Sequence, residues 1–396
     1  VEKTPKEELD RRIRALQGRM SPQGIDGALI VQNADLYYFC GTVPQGCLFI
    51  PVSGEPLLFV RKNPDRVCQE SPLERIIPIE SPRDLPRLMA DHGYTHLKKL
   101  GMELDVLPVN QYLRFLNGLK PQEVVDVSPA VQRGRAVKSA HEIEIMRKAG
   151  SLSDFMAGIA RDSLKEGITE VELSGKVEMA ARARGHQGYI RMRAFNQEIY
   201  WGALVSGPDS AEASFIDFAE GGRGPSLAYP GSAGLRKIGR HEPVLFDLVA
   251  VVEGYNSDQS RTLSIGPLPD QLKKACDVSM EILRELEKLI RPGVLTGALY
   301  AEAERIAESR GFLDHFMGYG NQKAGFCGHG VGIELDELPV IMRDGKMGLE
   351  PGMVLALEPK FTFPGLGVVG VEDNYAVTET GFEKLTGASY DVEVHA

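Results

Sequence analysis

The sequence predicts two domains, a small α/β domain followed by a larger α+β domain. Three observations lead there. The chain has 396 residues, more than one typical core accommodates. Over roughly its first 130 residues, short apolar runs alternate with amphipathic stretches, the signature of strands and helices in turn. The remainder reads helix, helix, strands, helix, helix, strands, and several of its strand-like runs carry an acid.

Residues 6–20 place Leu9, Ile13 and Leu16 at helical spacing, and Ser21-Pro22-Gln23-Gly24 ends that helix. Residues 27–31 (GALIV) predict a buried strand, and an apolar patch begins at 37–40. Residues 47–51 and 56–60 predict strands separated by Ser53-Gly54, and the β-rich pattern continues to Ile79. A helix over 84–92, a strand over 98–103 and a helix over 108–117 follow. Residues 124–135 read as a connector, which puts the domains at 1–133 and 134–396. Ser139 with Glu142 forms a capping-box pattern ahead of a long helix over 142–164, and Thr169 caps another that runs to 185. The Gly- and Ser-rich stretch 201–239 is long enough to be either functional or disordered. Residues 269–290 predict a helix stopped by Arg291-Pro292-Gly293, and 296–310 another. From Gly318 the chain is glycine-rich and strand-like. The repeated order suggests an internal duplication, although the halves do not align by residue identity.

The composition is that of a soluble globular protein, 43% hydrophobic and 25% charged. A net charge of −10 argues against nucleic acid or an anionic membrane as partner. No apolar run nears the ~18 residues that span a bilayer. The charged N-terminal stretch has no apolar segment and is not a signal peptide. Five cysteines, odd in number and without metal-type spacing, read as reduced thiols in a cytoplasmic protein.

The chemistry centres on VLFDLVAVVEGYNSDQSRT, residues 244–262. Asp247 lies inside an apolar β-run, where a lone carboxylate is expensive to bury. A hairpin turning across 253–257 would let Asp247 and Asp258 face one another, sharing either a proton or a cation. Three more candidates sit in similar settings: His329 between glycines, Glu358 ending an apolar strand, and Glu372 ending another. Four acids and one imidazole suit Mn²⁺, Fe²⁺, Co²⁺ or Zn²⁺. Four carboxylates exceed the charge of one divalent ion, whereas two ions sharing carboxylates fit, and such a pair generates a hydroxide near neutral pH.

These motifs resemble the family of creatinase, aminopeptidase P, prolidase and methionine aminopeptidase, whose catalytic domain has the pita-bread fold. The matching segments are FDLVA around Asp247, SDQSRT around Asp258, GHGVGIELDELP around His329, EPGMVLALEP around Glu358 and VEDNYAVTETGFEKLT around Glu372. Upstream, RAVKSAHEIEIMRKAG resembles the family's entry helix. RRIRALQGRMSPQGIDGALIVQNADLYYFCG resembles the creatinase-like N-terminal α/β domain. The resemblance implies a creatinase-like N-domain and an α+β pita-bread catalytic domain. It implies two divalent metal ions, Mn²⁺ foremost. Asp247 would be bidentate to one, Asp258 and Glu372 would bridge both, and His329 and Glu358 would complete the set. It gives Glu358 the role of general base, and it implies a small peptide substrate and a homodimer. The complete ligand set argues against creatinase itself, a metal-free member.

The sequence departs from that pattern twice. Family peptidases carry a histidine after Ser-Gly-Pro, where this chain has Ser214, and another after the GHGxG motif, where it has Asp336. His186 and His315 are possible replacements, or else helix-end and surface histidines. Arg191 and Arg193 can hold a substrate carboxylate, or line a solvated strand face. Trp201 reads as pocket or core, and Cys327 as packing. The expected activity is hydrolysis of Xaa-Pro peptides. The alternatives are a non-peptide small molecule, cleaved as an amide or by a lyase step, and a binding relative without turnover.

Overall fold

In the computed structural model, which describes residues 3–193 and 195–394, α1 (Lys6–Met20) buries Leu9, Ile13, Leu16 and Met20 along one side, as their spacing predicts. There follow β1 (Gly27–Ile30), α2 (Asn33–Cys40), β2 (Gly46–Pro51), β3 (Leu57–Val60), α3 (Pro64–Glu70) and β4 (Ile76–Pro78). Then come α4 (Leu85–Asp91), β5 (Lys99–Met102), α5 (Val109–Leu119), β6 (Glu123–Asp126) and α6 (Ser128–Ala136). The six strands form one mixed sheet in the order β4-β3-β2-β1-β5-β6. Residues 37–40, an apolar patch by sequence, end α2, because the Gln32 side chain accepts from the Ala34 and Asp35 N–H groups and Gly41 closes the helix at φ 73°. This first compact unit extends to Arg135 and takes in Arg193, Phe195 and Asn196 as well.

The second unit begins at Ala136. Its elements are α7 (Ala140–Ser163), α8 (Glu170–Ala183), β7 (Gly202–Ser206), β8 (Val244–Val252), β9 (Tyr255–Ile265), α9 (Asp270–Leu289) and α10 (Thr296–Ser309). The C-terminal strands are β10 (Gly328–Gly330), β11 (Val354–Leu357), β12 (Lys360–Phe363), β13 (Gly367–Gly370), β14 (Asp373–Val377), β15 (Phe382–Lys384) and β16 (Glu393–Val394). Both capping boxes form, Ser139 with Glu142 and Thr169 with Glu172. The sheets run β16-β9-β8-β7 and β10-β11-β14-β15, with β12 and β13 paired separately.

Strand alternation decides what faces where. On β8, Val244, Phe246, Leu248 and Ala250 join a core with Met156, Leu173 and Val177 of α7 and α8. Leu355, Leu357, Phe361 and Phe363 join another with Ile282, Leu286 and Leu299 of α9 and α10. The intervening residues, among them Asp247, Glu358 and Lys360, therefore point to the opposite face of each strand.

The β8–β9 hairpin is tighter than the five-residue turn expected from sequence. It turns on Glu253 and Gly254, at φ 48° and 84°, the left-handed pair that matches strand twist. Asp247 consequently lies opposite Ser260, and Asp258 opposite Val249. The two acids do not face each other. They are diagonal neighbours on one face.

Candidate metal centre

Asp247, Asp258 and His329 lie on β8, β9 and β10, while Glu358 directly follows β11 and Glu372 directly precedes β14. Asp258 is fixed by Asn374, whose Oδ1 accepts from the Asp258 N–H at 3.0 Å and whose Nδ2 donates to its carbonyl at 2.8 Å. Glu372 donates its backbone N–H to the Ser260 carbonyl at 3.0 Å, and its Oε2 accepts from Ser260 Oγ at 2.8 Å. Buried Arg261 spans the same junction, donating to the Glu372 carbonyl and to Asp373 Oδ1, each at 2.8 Å. His329 lies opposite Ala356 on β10, antiparallel to β11, whose alternation carries Glu358 to the same face.

Of the five residues expected to act together, Asp258, Glu358 and Glu372 converge on His329, and Asp247 joins them through Lys360. His329 Nε2 is 3.8 Å from Asp258 Oδ2, 3.8 Å from Glu358 Oε1 and 3.9 Å from Glu372 Oε1. These spacings are too long for hydrogen bonds. They match ligand atoms around a shared cation, each bonded at about 2.0–2.2 Å. Asp258, His329 and Glu372 place ligand atoms within 4.8 Å of one another. Asp258 Oδ1 and Glu372 Oε1 are buried without any hydrogen-bond partner, a costly arrangement that a divalent ion would relieve. The donor set fits a hard or borderline divalent ion. His329 Nδ1 lies 3.0 Å from the Gly330 carbonyl and 3.3 Å from Asp336 Oδ1. With its proton on Nδ1, the ring presents the Nε2 lone pair to the carboxylates.

Asp247 stands apart from that side. Its Oδ2 accepts from Lys360 Nζ at 2.5 Å, and Glu358 Oε2 accepts from the same ammonium at 2.7 Å. Glu220 Oε2 and Glu372 Oε2 are each 3.6 Å from Nζ. Burial and the neighbouring acids raise the Asp258 and Glu372 carboxyls well above the usual range. Burial also pushes on Asp247, but the Lys360 ammonium outweighs it and holds that carboxyl down. Desolvation opposes the charge on Lys360, and the surrounding carboxylates outweigh it and raise its pKa.

Two residues of this centre, Lys360 and Glu220, escaped the sequence reading. Lys360 was legible in principle, since a charge two residues after Glu358 on a strand shares its face. Glu220 gave no local signal, because it arrives from the long loop. The residues considered for substrate binding do not assemble here as a set. Asp336 does, beside His329. Ser214 Oγ accepts from the Ile216 N–H at 3.2 Å within its own loop. His186 is buried and stacked on Trp201 at 4.1 Å. Its Nε2 lies 2.9 Å from the Val249 carbonyl, and its Nδ1 accepts from the Gly188 N–H. His315 Nδ1 lies 2.8 Å from the Thr362 carbonyl, and its ring stacks on Phe363. Arg193 belongs to the first unit, where it pairs with Asp35 at 2.7 Å and Asp105 at 2.6 Å. Its fork is therefore engaged by protein carboxylates. The Arg191 carbonyl accepts from the Leu335 N–H at 2.9 Å, and its side chain is half-buried.

Comparison with known proteins places this geometry in context. The model of metallopeptidase family M24 matches residues 144–379, and that of the creatinase/prolidase N-terminal domain matches residues 12–137. An Xaa-Pro dipeptidase from Pyrococcus furiosus is 27% identical over 96% of this chain and 98% of its own length. Among solved structures, the prolidase from Pyrococcus horikoshii superposes with a TM-score of 0.81 at 24% identity, covering 96% of this chain and 99% of that one. The X-Pro aminopeptidase from Thermotoga maritima does so with a TM-score of 0.79 at 22% identity, covering 96% and 99%.

Proposed function

The chain belongs to metallopeptidase family M24, with a creatinase-type N-terminal domain ahead of a pita-bread catalytic domain, and from that premise we propose that it hydrolyses small Xaa-Pro peptides. The observation that carries this reading is the convergence of Asp258, His329, Glu358 and Glu372 around buried carboxylate oxygens left without partners. A relative alignable over nearly its whole length is named an Xaa-Pro dipeptidase, which supports a proline-containing substrate.

In this reading Asp258, His329, Glu358 and Glu372 hold a divalent ion, with Mn²⁺ as the proposed species. Such an ion supplies Lewis acidity to a carbonyl oxygen and lowers the pKa of a coordinated water to near neutrality. Asp336 and the Gly330 carbonyl keep His329 in the tautomer that leaves Nε2 available. The Glu358 carboxylate would take the proton of the attacking water and return it to the leaving prolyl nitrogen. Its Oε2 is occupied by Lys360, so the base is pinned in one orientation. The expected second ion meets the Lys360 ammonium beside Asp247. A homodimer and a cytoplasmic location complete the reading, the first from the family resemblance and the second from the five cysteines, none of them in a disulfide. No helix among the described residues is long and apolar enough to cross a membrane.

The test is hydrolysis of Xaa-Pro dipeptides and Xaa-Pro-Yaa tripeptides by the Mn²⁺-loaded chain, beside Asp258→Ala. Cleavage that depends on Asp258 is expected. A second reading, a non-peptide small molecule, is favoured by one feature: an ammonium and Asp336 stand where cation and imidazole are expected. Turnover confined to non-peptide compounds in a metabolite screen would establish it instead.

A further inference from the structure

The centre is divided into two halves with different occupants. On the His329 side lie Asp258 Oδ2, Glu358 Oε1 and Glu372 Oε1, the last without a hydrogen-bond partner. On the Asp247 side lies an ammonium. Glu358 and Glu372 each turn one oxygen to either half. We propose that the Lys360 ammonium permanently takes the place of one of the two cations, so that the centre holds a single divalent ion, on its His329 side.

Three observations carry this. Lys360 Nζ is 2.5 Å from Asp247 Oδ2 and 2.7 Å from Glu358 Oε2. An ion bonded to those same oxygens at about 2.0–2.2 Å would need the volume that Nζ fills. Next, the lysine's path is built for it. Lys360 pairs with Gly370 across β12 and β13, and a Cβ on Gly370 would stand 2.5 Å from Lys360 Cγ. The missing side chain is what lets the stem pass. Lastly, the lysine is only 1% exposed, between a core face bearing Phe361 and Phe363 and an inner face lined with acids. Leaving Asp247 would separate the buried ammonium from its closest counter-charge, which desolvation makes unfavourable. Glu220, buried and contributed by the long loop, adds a carboxylate on the ammonium's side. The consequence is a centre in which a fixed charge, unable to exchange, to act as a Lewis acid or to generate a bound hydroxide, replaces the ion that Asp247 would chelate.

The inference rests on the metal-binding half of the proposed function and not on the substrate. Its test is the metal content of the full chain, dialysed against Mn²⁺ and counted by elemental analysis. The electron paramagnetic resonance spectrum of the same samples is recorded. Wild type is expected to hold one ion with the hyperfine pattern of isolated Mn²⁺. Lys360→Gly, which vacates both charge and volume, is expected to hold two, with the spectrum of a coupled pair. Lys360→Ala serves if the glycine variant does not fold, and the wild-type count stands by itself if neither does. Two ions or none in wild type would overturn the proposal, as would one ion in a folded variant. Peptide cleavage is scored separately, so a one-ion enzyme that cleaves no Xaa-Pro peptide would end the peptidase reading and leave this one intact.

Discussion

Asp336 occupies a position where the resemblance leads one to expect a histidine, and its environment sets what its charge contributes. Its Oδ1 is 3.3 Å from His329 Nδ1, and its side chain is 36% exposed. Replacement by asparagine keeps the shape and removes the charge. Partners behind a metal-binding histidine generally contribute 10- to 100-fold in affinity. Here the Gly330 carbonyl, 3.0 Å away, still orients the ring after substitution, and solvent already screens the carboxylate. The loss should therefore fall at the low end, about tenfold, or ~1.4 kcal/mol. The assay is a Mn²⁺ titration of wild type and Asp336→Asn against a chelator of known affinity, with circular dichroism to check the fold. An unchanged Kd would refute the reasoning, because Asp336 would then be a bystander to His329. A loss of a thousandfold would refute it differently, by making Asp336 a ligand.

Other perturbations test other parts of the molecule. Chelation should abolish turnover and lower thermal stability, and Mn²⁺ restored at a hundredfold excess over Kd should add about 2.7 kcal/mol; a melting temperature indifferent to metal would count against an ion at Asp258 and Glu372. His186→Ala should cost about 2–3 kcal/mol, since one buried and one partly buried hydrogen bond and the Trp201 stack are lost. Its kcat/KM at full metal content should be unchanged, and a tenfold fall would place His186 in the chemistry after all. In the first unit, burial and the Asp35 charge raise the Glu103 carboxyl well above its usual 4.5. The folded state thus keeps a proton that the unfolded state releases, and stability falls as pH rises above 4.5. Glu103→Gln keeps an acceptor for the Val31 and Gln32 N–H groups and should remove that slope; hydrogen exchange of β1 amides at pH 5 and 8 reads it, and a slope unaltered in the variant would sink the assignment. Asp35 works in the opposite window. Burial disfavours its charge, but Arg135 and Arg193 prevail and hold it at about 2, so its contribution is present above 3.8 and lost as pH falls toward 2. Arg135→Met should therefore weaken that unit near neutrality, and equal stability at pH 7 would contradict it.

The sequence alone pointed to the two-domain order, to most helices, and to four acids and an imidazole as candidate ligands. The reason is local. Capping boxes, proline and glycine stops and period-2 alternation act within a few residues. A carboxylate in an apolar strand advertises its own cost wherever the strand ends up. What the tertiary structure decided lies at longer range. A two-residue turn set the hairpin register and made Asp247 and Asp258 diagonal neighbours. Glu220 was a loop residue like its neighbours until that loop's path brought it beside Lys360. Arg193 was a candidate anchor for substrate until Asp35 and Asp105, distant in the chain, engaged its guanidinium. Lys360 is the sharpest case. Its strand face follows from its number, but whether a flexible four-carbon stem ends in solvent or between Asp247 and Glu358 depends on what stands opposite it. Only the folded pairing of β12 with β13 supplies Gly370, the residue with no side chain to block the way.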